Sequence, residues 1–303
     1  MHIQWYPGHM HKAGREIGKA LPQVDLVIEV LDARIPFSSE NPMLARLRGD
    51  KPCIKLLNKS DLADPQLTRE WCSYLERLQA VNTMALHRGD RRGIAELVGL
   101  CRRLAPRRNT DHGVIRTIIV GIPNVGKSTL INLLAGRRIT RTGNEPAVTK
   151  SQQHIKLSSG ISLLDTPGVL WPNVENKNSG YRLAVTGAIR ETAMEYDHVA
   201  LFAAGYLLAN YGTNLQRRYG FEQLPHSEIE LVEEVGRRRG CLRKGGEVDL
   251  QRAAKLFIAE IRSGALGRIT LETPAMMERE LAELAAMRKR KAASKAGRRE
   301  SEV

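Results

Sequence analysis

Three stretches of the chain hold residues whose types and spacing can do chemistry together. Gly121-Ile122-Pro123-Asn124-Val125-Gly126-Lys127-Ser128 fits the pattern GxxxxGK[ST] in full, between an apolar run and a helix-like segment. Glycines let such a backbone curl until its N–H groups face phosphate oxygens, and the helix that follows adds its positive N-terminal end. Asn124, Val125, Gly126, Lys127, Ser128 and Thr129 would form the cradle, with Lys127 reaching the β- and γ-phosphates and the Ser128 hydroxyl on Mg²⁺. Downstream, "SLLDTPG" places Asp165 at the end of a second apolar run, where a carboxylate can hold Mg²⁺ through water. Gly168 stands where its N–H can face the γ-phosphate. Thr149, in the intervening loop "GNEPAVTKSQ", offers Mg²⁺ a second hydroxyl.

The third stretch is Asn58-Lys59-Ser60-Asp61, directly after the apolar run "CIKLL". Asp61 can accept both the N1–H and the exocyclic amine of guanine, a pair of donors that adenine lacks. Lys59 can pack its stem along the base, and Asn58 can tie this loop to the phosphate loop. Together the three stretches predict a GTP/GDP site with Mg²⁺. The order is unusual, because the base-reading loop comes well before the phosphate loop.

Alternating elements must position these loops. Apolar runs at 24–32, 52–58, 79–86, 116–122, 153–157 and 161–165 read as strands, with helical patterns at 66–78 and 93–104 between them. That alternation is the signature of an α/β sheet with helices on its faces. Beyond "DTPGVLWPNVENKNSG" the strand signal stops, and helical patterns follow at 180–189, 192–210, 227–238, 249–263 and 275–291. The expected organisation is a nucleotide domain over 1–177, a helical domain over 178–284 and a basic, disordered tail over 285–303, whose few large apolar residues cannot offset the entropy of ordering it.

Composition narrows the partners. The 303 residues carry 47 Lys and Arg against 33 Asp and Glu, a net charge of +14 that favours polyanions through counterion release. Aromatic residues make up only 5%, so shape and backbone recognition of folded RNA suits the chain better than base stacking. No run of eighteen apolar residues predicts a membrane span, and the N-terminus lacks a secretory pattern, so a cytoplasmic location is expected. Cys53, Cys72, Cys101 and Cys241 stand far apart without a CxxC pair, which suits core packing rather than zinc or disulfides.

The segments "WYPGHMHKA", "VDLVIEVLDARIPFSSENP", "LNKSDL", "GIPNVGKSTLIN", "LLDTPGVLWP" and "GYRLAVTGAI" resemble the circularly permuted GTPases of bacterial ribosome assembly, the YlqF family, over nearly the whole chain. The resemblance implies a circularly permuted P-loop GTPase domain followed by a smaller all-helical, RNA-binding domain, and it accounts for the reversed order of the motifs. It implies a GTP-hydrolysing assembly factor for the large (50S) ribosomal subunit, bound to rRNA and ribosomal proteins. The alternatives are a GTPase acting on another RNA such as tRNA, and a non-hydrolysing, nucleotide-sensing RNA-binding module. In resembling GTPases the position of Asn124 coordinates K⁺, and His9 resembles a family histidine implicated in catalysis. Permutation leads the switch segment around Thr149 and Asp165–Gly168 almost directly into the helical domain, so switch order is expected to couple to its docking. Residues 85–88 correspond to the family's last base-contacting loop. The switch has Pro146-Ala147-Val148-Thr149 where relatives show Gly second, and Val169 and Leu170 occupy the place of the glutamine that orients water in many small GTPases. Unaided turnover is therefore expected at roughly 10⁻⁴ to 10⁻² s⁻¹, rising on the partner.

Overall fold

The computed structural model describes residues 8–105, 113–140, 153–171 and 174–300, apart from the side chains of His9 and of 292–300. Six strands lie where the apolar runs predict them: β1 (Leu26–Asp32), β2 (Cys53–Asn58), β3 (Val81–Ala85), β4 (Ile115–Gly121), β5 (Gln153–Lys156) and β6 (Ile161–Asp165). They form one sheet in the order β3-β2-β1-β4-β6-β5. All neighbours are parallel except β5, which pairs antiparallel with β6 at the edge. Every residue of β1 is buried, as an apolar run covered by helices on both faces must be.

The register draws the motif residues to one edge. Asp32 pairs with Asn58, Val30 with Gly121, and Ile119 with Asp165, so four strands end in the same layer. Between β1 and β4 the strand order reverses direction, and ligands of open α/β sheets bind at that crevice. The first three strands stand on one side of β4 and the last two on the other. The two groups can therefore be joined in either chain order around the same crevice, which is the physical content of the permutation.

Helices α1 (Gly8–Ala20), α2 (Pro42–Arg48), α3 (Pro65–Leu75), α4 (Arg91–Leu104) and α5 (Lys127–Ala135) cover the sheet. Local chemistry sets their starts. Asp64 caps α3 by accepting from the Gln66 and Leu67 N–H groups, and Pro65 needs no donor in the first turn. Asn41 and Asp90 cap α2 and α4 in the same way.

From Lys177, one residue before the expected boundary, the chain is helical: α6 (Lys177–Thr186), α7 (Tyr196–Asn210), α8 (Gly212–Tyr219), α9 (Glu228–Arg238), α10 (Leu250–Ser263) and α11 (Pro274–Glu300). Among the described residues of this part, an isolated bridge between Leu242 and Val248 is the one β interaction. Ala200, Ala203 and Ala204 on α7 are fully buried, and these small side chains let α9 and α10 pack close. The apolar core runs without interruption from the sheet into α6, α7, α9 and α10. A second cluster joins Leu31, Leu57 and Trp71 of the sheet layer to Met277 of α11.

The segment expected as a disordered tail departs from that reading, because α11 continues through it to Glu300. The scarcity of large apolar residues argues against burial, and residues 285–291 are all exposed. It does not argue against a helix, since Ala, Lys, Arg and Glu are strong helix formers. All four cysteines are free, with Cys53, Cys101 and Cys241 buried and Cys72 half-buried. Among the described residues no helix is long and apolar enough to cross a membrane.

Candidate nucleotide-binding site

Between β4 and α5 the backbone turns through Asn124 and Gly126, both in the left-handed region at φ +57° and +104°. A Cβ at Gly126 would also run into the Asn58 amide, which explains glycine there twice over. The Asn58 Nδ2 donates to the Val125 carbonyl at 2.7 Å, so the Asn58–Asp61 loop is tied to the turn before α5. Gly168 crosses so close that a Cβ would lie 2.7 Å from the Pro123 Cα. The chain after β6 therefore lies against the phosphate loop.

Lys127 folds back into this turn, its Nζ donating to the Gly121 and Ile122 carbonyls at 3.0 and 2.9 Å. Burial pulls its pKa down to about 8, against the pull of Asp165. Asp165 is fully buried, and burial pushes its carboxyl up to about 6; the Lys127 ammonium and the Thr166 N–H limit the rise. Neither carboxylate oxygen makes a hydrogen bond of normal geometry. Buried, unbonded oxygens of this kind are costly unless a cation or donor completes them. A hard divalent cation whose other ligands are waters and phosphates fits that pair of oxygens, with Ser128 on the neighbouring turn.

Thr140 donates its hydroxyl to the Ser128 carbonyl at 3.0 Å, and Asn132 holds both the Ile139 and Thr140 N–H groups. The start of the switch loop is thus pinned to the phosphate helix. Thr149 and the rest of 141–152 lie outside the described residues, and so does the His9 side chain, although His9 itself falls in the first turn of α1. Thr129 follows on α5, half-buried. Val169 and Leu170 are buried at the position of the missing glutamine, where they pack in the core instead of facing water. The Asn41 Nδ2 donates to the Val169 carbonyl at 3.2 Å and fixes that turn. Asn124, expected to hold K⁺, donates its Nδ2 to the Gly187 carbonyl at 2.8 Å, a link from the phosphate loop to the end of α6.

On the guanine side Lys59 takes a left-handed turn at φ +60°, and Asp61 is exposed two residues on. The Lys59 Nζ donates to Asp32 Oδ2 at 2.8 Å. Arg34 grips the same carboxylate from the other side, with Nε on Oδ1 at 2.9 Å and Nη2 on Oδ2 at 2.8 Å. Burial alone would raise the Asp32 pKa, but Arg34 and Lys59 outweigh it and hold the carboxyl well below its usual range. The Ser60 N–H donates to the Leu86 carbonyl at 3.1 Å, which sets residues 85–88 beside the Asn58–Asp61 loop. Asp32 and Arg34 were not assigned a role from sequence. The available signal was an Asp at the very end of a buried apolar strand, the same signal that singled out Asp165.

Comparison with known proteins settles which family this arrangement serves. A family model described as 50S ribosome-binding GTPase matches residues 116–205. Ribosome biogenesis GTPase A of Priestia megaterium is 43% identical over 289 residues, 93% of this chain and 100% of the relative. The chain belongs to the ribosome biogenesis GTPase A family. Its Thermotoga maritima member is 35% identical over 90% of this chain and 95% of its own. A GNP-bound crystal structure of YlqF from T. maritima covers 87% of this chain and 98% of its own at 32% identity, with a TM-score of 0.60. A GDP-bound YlqF structure covers 86% and 100%, also at 32% identity, with a TM-score of 0.63. This ribosome biogenesis GTPase A homologue is thus a guanine-nucleotide-binding GTP hydrolase with a role in ribosome biogenesis, built on a permuted GTPase domain with a helical C-terminal part.

Proposed function

We propose that the chain is a GTP-driven checkpoint in assembly of the large (50S) ribosomal subunit. The GTP form docks on rRNA, correct local structure triggers hydrolysis, and the GDP form leaves. The observation that carries this reading is the match of residues 116–205 to the 50S ribosome-binding GTPase model, in a chain whose net charge is +14. A polyanionic partner of that size is what such a charge favours.

Within the site, Lys127 binds the β- and γ-phosphates, with the backbone of Asn124, Val125, Gly126 and Thr129 as the cradle and Gly168 at the γ-phosphate. Asn58, Lys59 and Asp61 read guanine. Ser128, Thr149 and Asp165 hold Mg²⁺, which neutralises phosphate charge when bound. The hydrogen bond from Asn124 Nδ2 to Gly187 is compatible with K⁺ on the amide oxygen, and it gives the ion a route to the helical domain. His9 positions the attacking water in place of the missing glutamine. The helical domain over 178–284 and the basic extension over 285–303 supply Lys and Arg to RNA phosphates. α6 begins twelve residues after Asp165, close enough for switch order to bias how the helical domain docks.

The test is GTP hydrolysis in K⁺ and in Na⁺, with and without purified 50S subunits, for wild type and Lys127→Ala. Stimulation by 50S that K⁺ enhances and Lys127→Ala abolishes is the expected result. Flat rates with 50S, alongside stimulation by tRNA-sized RNA, would replace the assembly reading with another RNA substrate.

A further inference from the structure

An ion cluster lies behind the Asn58–Asp61 loop. Asp32 ends a strand that is buried throughout and mostly apolar, and its carboxylate is paired there with two cations. One of the two is Lys59, in the Asn58–Asp61 loop, whose backbone takes a left-handed turn and whose Nζ donates to Asp32 Oδ2 at 2.8 Å. The other, Arg34, has its guanidinium 3% exposed and reaches beyond Asp32. Its Nη1 donates to the Arg262 carbonyl at 3.3 Å, at the end of α10, and its own carbonyl accepts from the Leu271 N–H at 2.8 Å.

The same stretch of the helical part holds the other side of the base-reading loop. The Ile269 N–H donates to the Leu62 carbonyl at 2.9 Å, and Thr270 Oγ1 accepts from the Asp64 N–H at 3.0 Å. Ile269, Thr270 and Leu271 are buried, so these bonds are shielded from water. Residues 262–271 therefore bracket Asn58–Asp61, touching Arg34 on one side and Leu62 and Asp64 on the other. Guanine readout by a carboxylate depends on loop position to a fraction of an ångström.

We propose that Asp32 and Arg34 are positioning residues for guanine recognition, Asp32 orienting Lys59 and Arg34 anchoring that pair to residues 262–271 of the helical domain. The proposal rests on reading Asn58–Asp61 as the base-reading loop. Base affinity is then set in part by the helical domain, without that domain touching the nucleotide.

The experiment measures binding of fluorescent GDP and IDP analogues to the full chain. IDP lacks the exocyclic amine, so the ratio of the two affinities reports how well Asp61 is placed. Arg34→Gln is expected to weaken GDP about tenfold, the worth of one charge-assisted hydrogen bond, and to weaken IDP less, so that the preference for GDP falls. Arg34→Lys keeps the charge but cannot span Asp32 and the Arg262 carbonyl, and it should recover part of the preference. Thr270→Val, nearly isosteric and remote from the ion cluster, should lower the preference by about two- to threefold and serves if Arg34→Gln fails to fold. GDP and IDP weakened by the same factor, or an unchanged preference in both Arg34→Lys and Thr270→Val, would overturn the positioning role. Asp61→Asn is the control for the underlying reading. If it leaves the GDP preference intact, the loop assignment falls; if it removes the preference while the other variants keep it, only the positioning proposal falls.

Discussion

Replacing Arg182 with Gln tests how the helical domain is clamped to the sheet. Arg182 lies on α6 and is 1% exposed. Its Nη1 and Nη2 grip the two oxygens of Glu280 at 2.9 and 2.6 Å, its Nε donates to the Leu271 carbonyl, and Glu272 lies 3.6 Å away. Glu272 is completely buried and accepts from the Phe37 and Ser38 N–H groups and the Ser38 hydroxyl. Without Arg182 this carboxylate is a buried charge with no cation. Breaking such a pair from one side costs about 3–5 kcal/mol, or roughly 5–8 °C in melting temperature for a protein of this size.

The charge origin gives the prediction a pH signature. Burial raises the Glu272 pKa above 4.5 and Arg182 restrains it, so removing Arg182 raises it further. The folded variant then binds a proton that the unfolded chain does not, between 4.5 and the raised value. Its stability increases as pH falls through that window. Glu280 works the other way: burial opposes ionisation, but Arg182 and the Asn176 amide outweigh burial and lower its pKa. Wild type therefore loses stability as pH falls below 4.5, and both effects narrow the gap in acid. Urea denaturation at pH 8 and pH 5.5 should show the deficit of Arg182→Gln shrinking at the lower pH, and Glu272→Gln added to it should restore part of the loss at pH 8. A deficit under about 1 kcal/mol, or one equal at both pH values and untouched by Glu272→Gln, would refute the buried-charge account.

Gly126→Ala combines a strained φ of +104° with a collision against the Asn58 amide, and should lower GDP affinity by tenfold or more through loss of the tie between the two loops, read by titration calorimetry. Asp165→Asn should abolish the difference between GDP binding with Mg²⁺ and with EDTA; a difference that survived would place the ion elsewhere. Burial pushes the Cys53 and Cys101 thiols up to about 12, so an aromatic disulfide reagent at pH 8 should leave both unmodified in the native protein and count all four cysteines only after denaturation.

What could be read from the sequence was what is local. The phosphate loop is a strand, a turn and a helix start in consecutive residues, and the parallel strands announce themselves because burial on both faces makes them continuous apolar runs. The short α2 and α8 gave no comparable period, and the tail misled because unfitness for a core says nothing about helix propensity. Illegible above all were contacts between distant parts of the chain. Phe37 and Glu272 are 235 residues apart, and Arg34 and Arg262 are 228 apart. No spacing rule reaches that far: Glu272, Arg34 and Arg262 each read alone as an ordinary surface charge, and Phe37 contributes only its backbone N–H.

Those distant pairs also change what permutation accomplishes. Read along the chain, it would lead the proposed switch segment into α6, and the Asn124 bond to Gly187 joins the turn before α5 to the end of that helix. The fold adds a second grip, because residues 262–272 return to the loops after β1 and β2, on the guanine side of the crevice. The helical part thus holds the turn before α5 through the C-terminal end of α6, and the loops after β1 and β2 through the segment after α10. A rotation of that domain strains one contact or the other unless both halves of the site move with it. On the proposed reading of the site, a nucleotide spanning the two halves would favour a single docking of the domain, with a free energy equal to the difference in its affinity for the alternative dockings.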